Sequence, residues 1–96
     1  MPEIAFHADA TAEMRAAAGY YEEQQQGLGE EFLDEIEQGL SRVQEFPRLW
    51  PIYEADYRRY LLRRFPFGII YRVDQEIYVI AVAHLHREPG YWYARR

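Results

Sequence analysis

Cysteine is absent from this 96-residue chain, which excludes a disulfide framework, a thiolate nucleophile and a thiolate metal site. That fits a reducing compartment. Lysine is absent as well, so all eleven basic residues are arginines. Long hydrophobic runs are missing too. The longest uncharged apolar stretch, residues 77–85, is about half the roughly 20 residues a membrane span needs. The opening Met-Pro-Glu-Ile lacks the charged and apolar regions of a signal peptide. A cytoplasmic protein with no membrane partner is the expectation. Without repeats or low-complexity linkers, a chain this short has room for one core, and residues 1–96 read as one domain.

What is present is apolar and aromatic. Hydrophobic residues make up 49% and aromatics 17%, far above the composition of disordered chains, so the chain should fold. The net charge of −5 argues against a general nucleic-acid binder. The charge is unevenly spread, however. Residues 57–96 carry eight arginines (Arg58, Arg59, Arg63, Arg64, Arg72, Arg87, Arg95, Arg96) against Asp74, Glu76 and Glu88, a net +5. Residues 1–56 carry Arg15, Arg42 and Arg48 against thirteen carboxylates, a net −10. An acidic protein thus contains a basic, aromatic-rich half where an acidic partner should dock.

Ile4 and Phe6 alternate with Glu3 and Ala5 and predict a short opening strand. Asp9 is placed as an N-cap, with Glu13 favourable to the helix dipole. Met14, Ala17, Ala18 and Tyr21 then repeat at helical spacing over about 10–25. Gly27-Leu28-Gly29 reads as a tight turn. Phe32, Leu33, Ile36, Leu40 and Val43 form a second apolar stripe, opposite Glu30, Asp34, Glu37 and Gln38. Phe46-Pro47 ends that helix, and residues 48–56 read as irregular. Strands are predicted at about 58–62, 65–73 and 77–85, the last two joined through Asp74-Gln75-Glu76 as a hairpin. The order is β-α-α-β-β-β. It is an α+β fold, with a helical hairpin packed on one face of a mainly antiparallel sheet.

Period two places Ile77, Val79, Ala81, Ala83 and Leu85 on one face of the last strand and Tyr78, Ile80, Val82, His84 and His86 on the other. The preceding strand divides into Ile69, Tyr71 and Val73 against Ile70 and Arg72. Helices cover one face, and the second face is also apolar at its start. Its cover is the aromatic tail Tyr91-Trp92-Tyr93, a second copy, or a different protein.

The run from Arg59 through Gly68 to Val73, followed by residues 77–84, resembles the RelE/ParE superfamily of type II toxin–antitoxin toxins. It is most similar to the ParE-like branch, the plasmid stabilisation proteins. Tyr20-Tyr21-Glu22, Gly27-Leu28-Gly29-Glu30 and Glu45-Phe46-Pro47-Arg48-Leu49 match in order and spacing. The resemblance implies a small bacterial or archaeal toxin held inactive by a cognate antitoxin that wraps its surface. ParE-like members poison DNA gyrase and are not hydrolases. RelE-like members cut messenger RNA on the ribosome, chemistry that needs a base, an acid and a clamp for the phosphorane charge. A key RelE-like arginine lies near the position held here by Gly68, and the lysine-rich segment before that strand is not recognisable. Both departures count against the nuclease, and no enzyme activity is expected.

If the chain is a nuclease, His84, His86, Arg63, Arg64 and Tyr91 are its candidates. For the two histidines the competing reading is a partly buried sheet edge. A metal site would need His7 as third ligand, and neither metal nor cofactor is expected. For binding an antitoxin or target, the candidates are Arg59, Arg63, Arg64, Ile70, Arg72, Ile80, Val82, His84 and His86. Arginine forks suit carboxylates, although the arginines could instead pair with the chain's own acidic helices. Trp92 and the tail tyrosines are expected to pack the end of the sheet, and Trp50 and Tyr53 to pack near the helix ends. Three functions remain open: a gyrase-directed toxin, a ribosome-dependent endoribonuclease, and an inactive binding module derived from either. A homodimer and a toxin–antitoxin heterotetramer both fit the sequence.

Overall fold

A computed structural model describes residues 2–95; Met1 and Arg96, the latter one of the eight arginines above, lie outside the described residues. The elements run β1 (Ile4–Phe6), α1 (Ala8–Gln24), α2 (Leu28–Glu45), β2 (Ile52–Glu54), β3 (Tyr57–Leu61), β4 (Phe67–Val73) and β5 (Ile77–His84). They form one five-stranded sheet in the order β1-β5-β4-β3-β2. β1 pairs parallel to β5, and every other pairing is antiparallel. The two helices form a hairpin on one face, as the apolar periodicities predict. No helix among the described residues is long and apolar enough to cross a membrane.

Three local expectations are corrected. His7, not Asp9, caps α1: its Nδ1 accepts the Asp9 amide at 2.9 Å. An imidazole nitrogen two residues before a donor serves as well as a carboxylate. Only Gly27 of the glycine pair lies outside the helix, capping α2 at φ 88°, a left-handed backbone that glycine adopts freely. The segment 48–56 contains the strand β2. It paired invisibly to sequence rules because its register to β3 shifts between Ile52 and Glu54 and its turn is Ala55-Asp56, with Ala55 at φ 51°. That turn lacks the glycine or asparagine that signals a hairpin.

The core between hairpin and sheet is led by aromatics. Phe32 of α2 meets Phe65 and Phe67 at centroid distances of 5.2 Å, and Tyr21 of α1 meets Phe65 at 4.8 Å. Ile36, Val43, Ile69, Ile77 and Val79 are buried beneath them. Tyr71 is buried in this layer and donates to Pro47 O at 2.8 Å. Burial pushes its phenol up to about 12, against the opposing charge of Arg58. Leu33, expected in the α2 stripe, is 39% exposed. Gly39, not expected in that stripe, is buried and lets the Tyr60 ring lie against the helix.

A methyl group at Gly39 would stand 2.7 Å from Tyr60 Cε1 and 3.2 Å from Ile69 Cδ1. Overpacking of that kind costs about 1–3 kcal/mol, against roughly 1 kcal/mol gained in helix propensity. Gly39→Ala should therefore lower the urea midpoint of unfolding. A midpoint equal to or above that of the parent chain would show that the ring moves aside.

Candidate functional site

The second face of the sheet is closed by the chain itself. Trp92, 1% exposed, packs with Ile70, Ile80, Ala81 and Ala83. It stacks on Tyr53 at 5.9 Å and meets Tyr57 at 6.0 Å. Tyr53 thus belongs to this layer and not to the helix ends. Of the three covers the sequence left open, the aromatic tail is the one present.

The residues expected on that face do not all share it. The β4–β5 register shifts between Ile70 and Tyr71: Ile70 pairs with Ala81 and Tyr71 with Val79, which leaves Ile80 as an extra residue. A bulge inverts the alternation beyond it. Ile80, Ala81 and Ala83 therefore face the tail, whereas Val82 returns to the helix-side core. Ile70, Ile80 and Val82 are at most 2% exposed, so the apolar strip of Ile70, Ile80, Val82 and His84 expected to meet a partner is neither continuous nor open. Arg72 does sit on the tail side, over the Tyr78 ring at 5.0 Å, bonded to Asp74 at 3.2 Å and Tyr57 OH at 3.4 Å.

One carboxylate fastens the tail. Glu13 on α1 accepts the Val82 amide at 3.0 Å, the Tyr91 hydroxyl at 2.7 Å and two nitrogens of Arg95 at 2.9 and 2.8 Å. Arg95 also donates to Ile80 O at 2.9 Å and lies 3.6 Å from Asp9. Burial pushes the Glu13 carboxyl up, but the bonds from Arg95, Tyr91 and the Val82 amide, with the guanidinium charge, outweigh it, and the net shift is downward. Burial and then the Glu13 carboxylate push the Tyr91 phenol upward, and the guanidinium of Arg87 lies 3.8 Å over its ring. Neither Glu13 nor Arg95 carried a sequence signal for this role; Glu13 reads there as a partner for the helix dipole.

The candidate nuclease residues fall in separate places. His84 faces α1 instead of the tail, its ring 5.2 Å from Phe67, and lines a groove with Ala17, Tyr20 and Tyr21. His86 is exposed at 5.0 Å from the His84 ring, and its amide donates to His84 Nδ1 at 3.1 Å. Arg63 and Arg64 line a different cleft over α2, with Glu31, Asp34 and Glu35. Glu35 accepts both their amides, at 2.6 and 2.8 Å, and clamps the β3–β4 loop to the helix. Gly68 lies under Arg59, whose Cγ a methyl group there would approach to 3.0 Å.

The arginines divide into paired and unpaired. Arg64 bonds Glu31 at 2.5 Å, an exposed pair worth little to stability. Arg58 donates to the carbonyls of Arg48 and Trp50 at 3.1 and 2.7 Å, holding the loop before β2. Arg59 lies 3.8 Å over the Tyr53 ring. Arg42, which the sequence did not single out, reaches Tyr60 OH at 2.9 Å. Arg42, Arg58, Arg59 and Arg63 form no ion pair among the described residues. They line the β3 edge of the sheet, beside exposed Leu49, Ile52 and Leu61. This edge is the strongest candidate for a functional surface.

The family model described as ParE toxin of type II toxin-antitoxin system, parDE, matches residues 4–89. Among solved structures, a chain of the chromosomal ParDE TA system from P. aeruginosa is similar at 20% identity and a TM-score of 0.64, covering 88% of this chain and 96% of that one. The likeness supports the fold of two helices on a five-stranded, mostly antiparallel sheet. No curated protein matches the chain.

Replacing Glu13 by Gln should cost about 1–3 kcal/mol, because Arg95 loses its closer counter-ion in a partly buried site and keeps only exposed Asp9 at 3.6 Å. The pH dependence follows from the downward shift. The Glu13 contribution is complete above the ordinary carboxylate range and is lost as pH falls through its depressed folded value. Urea unfolding of both chains from pH 7 downward should show them converging in acid. A constant gap between the curves would contradict the role.

Proposed function

The chain belongs to the ParE toxin family of type II toxin–antitoxin systems, and from that premise we propose that it is the toxin of such a module, neutralised by a cognate antitoxin and acting by binding and not by hydrolysis. DNA gyrase is the target its ParE-like resemblance implies, and the cytoplasm the compartment. The observation that carries the binding reading is the β3 edge. There Arg42, Arg58, Arg59 and Arg63 form no ion pair among the described residues, in a chain that has sixteen carboxylate residues. Unpaired guanidinium groups beside exposed apolar side chains suit an acidic protein partner.

The nuclease reading receives less support. His84 and the Arg63–Arg64 pair line different clefts, and Tyr91 is engaged by Glu13. General acid–base cleavage needs its groups within reach of one phosphate. The glycine at position 68 offers no guanidinium to the phosphorane charge.

Expression of the chain alone should arrest growth, and purified chain should inhibit supercoiling by DNA gyrase. Co-expression of the product of the adjacent reading frame should restore growth. Primer extension on translated message is expected to show no A-site cuts. Cuts that vanish in His86→Ala would make the chain a nuclease, and normal growth would leave it an inactive binding module.

A further inference from the structure

Beside the outer end of β5, α1 carries alanine at positions 16 and 17, and these short side chains leave a groove between helix and strand. Its larger part, about 440 Å³, is walled by Ala17, Tyr20, Tyr21, Pro66, Phe67 and His84. A second hollow of about 280 Å³ shares Ala17, Phe67 and His84 with it and reaches Glu13 and Arg87. The Phe67 and His84 rings meet edge to face at 5.2 Å, and the Tyr20 ring meets Tyr21 at 5.4 Å. Small-molecule sites have this character, an apolar and aromatic hollow of roughly 300–1,000 Å³ with a few fixed polar groups.

The polar groups at the groove are donors. His84 Nδ1 accepts the His86 amide at 3.1 Å. A ring nitrogen that accepts carries no proton, so the imidazole proton sits on Nε2, and Nε2–H is what His84 has left for a ligand. The Arg87 amide donates to His84 O at 3.0 Å, which holds residue 87 in the turn directly after the strand. Its guanidinium lies 3.8 Å over the Tyr91 ring and forms no ion pair among the described residues. Glu13 is the one carboxylate in the lining, and its oxygens already accept from Val82, Tyr91 and Arg95. We propose that this groove binds a small aromatic monocarboxylate. The ring lies against Tyr20 and Phe67, and the carboxylate takes hydrogen bonds from His84 Nε2–H and the Arg87 guanidinium. Two donor groups suit the two oxygens of one carboxylate. A phosphate dianion would bring a second negative charge toward Glu13, so a nucleotide is a poorer occupant. An ammonium group would face a guanidinium and an N–H, with no free acceptor on the imidazole. The inference goes beyond the toxin reading and does not depend on it.

The test titrates the full chain with naphthylacetate, following backbone amides and alanine methyl groups by NMR. Saturable shifts at Ala16, Ala17 and His84 are expected at ligand concentrations below about 1 mM. Arg87→Gln should weaken binding about three- to fivefold. His84→Phe, which keeps a ring beside Phe67 and removes the donor, should weaken it about tenfold. Tyr20→Ala, which removes one wall, should weaken it about threefold. Arg87 and Tyr20 are exposed, so those two variants carry the test if His84→Phe does not fold. Naphthylethylammonium should not bind. Absence of saturation, equal binding of the ammonium, tighter binding of uridine monophosphate, shifts confined to the arginine groove beside β3, or affinity unchanged in both Arg87→Gln and Tyr20→Ala would each overturn the proposal. So would the same shifts on concentrating the free chain, which would put a second copy in the groove. Binding is read on the purified chain, so its outcome stands apart from that of growth arrest.

Discussion

The Glu13 carboxylate joins parts of the molecule that apolar packing alone holds weakly. Of α1, only Ala10 and Ala17 are buried, small side chains that contribute little transfer energy, while Met14, Ala18 and Tyr21 are only partly buried against the core. β1 ends at Phe6, and beyond it the outer edge of β5 has no strand to satisfy it. Glu13 takes the Val82 amide from that edge and Arg95 takes the Ile80 carbonyl, so one ion pair serves where a strand would otherwise be required. Tyr91 and Arg95 flank Trp92 in sequence, and both are bound to Glu13. The tail is thereby pinned on either side of the residue that closes the second face. Closure of that face, in turn, decides which surfaces remain for a partner.

What the sequence made legible was the regular part. The period-3.6 stripes of α1 and α2, the break at Phe46-Pro47 and the Asp74-Gln75-Glu76 hairpin all correspond to observed elements within one or two residues, β4 beginning at Phe67 instead of residue 65. Face assignment in β5 failed halfway along. A strict alternation is the right rule for a regular strand, and nothing in the run Ile-Tyr-Val-Ile-Ala-Val-Ala-His marks Ile80 as an extra residue. Bulges signalled by glycine are readable; one made from isoleucine among other apolar residues is not. The strand β2 escaped for a related reason, since its pairing is irregular and its turn carries neither glycine nor asparagine. Those are failures of local signal overruled by tertiary pairing.

The charge asymmetry was legible as a count but not as an arrangement. Arg63 and Arg64 are adjacent and chemically equal in the sequence, yet among the described residues only the Arg64 guanidinium meets a carboxylate, that of Glu31 on α2. Arg95 counted as one more surface charge and is instead among the least exposed, its side chain 15% accessible. Arg42 lay in the acidic half and escaped attention, although α2 delivers it to the same groove as Arg59 and Arg63. The basic character of residues 57–96 is therefore divided. One part is consumed in fastening the tail and the loops, and another is left open along β3.

That open part has two effects which reinforce each other. Exposed sheet edges are hazardous because any extended chain can add to them, and charged side chains are one means of discouraging it. Lysine usually fills that role, and this chain has none. Arginines at the β3 edge repel a second copy of the same edge as lysines would, and their planar forks also bind carboxylates with a fixed geometry. A surface that repels its own kind and suits carboxylates would discriminate through both terms of the affinity difference. The short β2, three residues long, leaves enough of the edge uncovered for this to matter. With the second face sealed by Trp92, guanidinium groups outside any ion pair among the described residues and an apolar wall lie together at this edge.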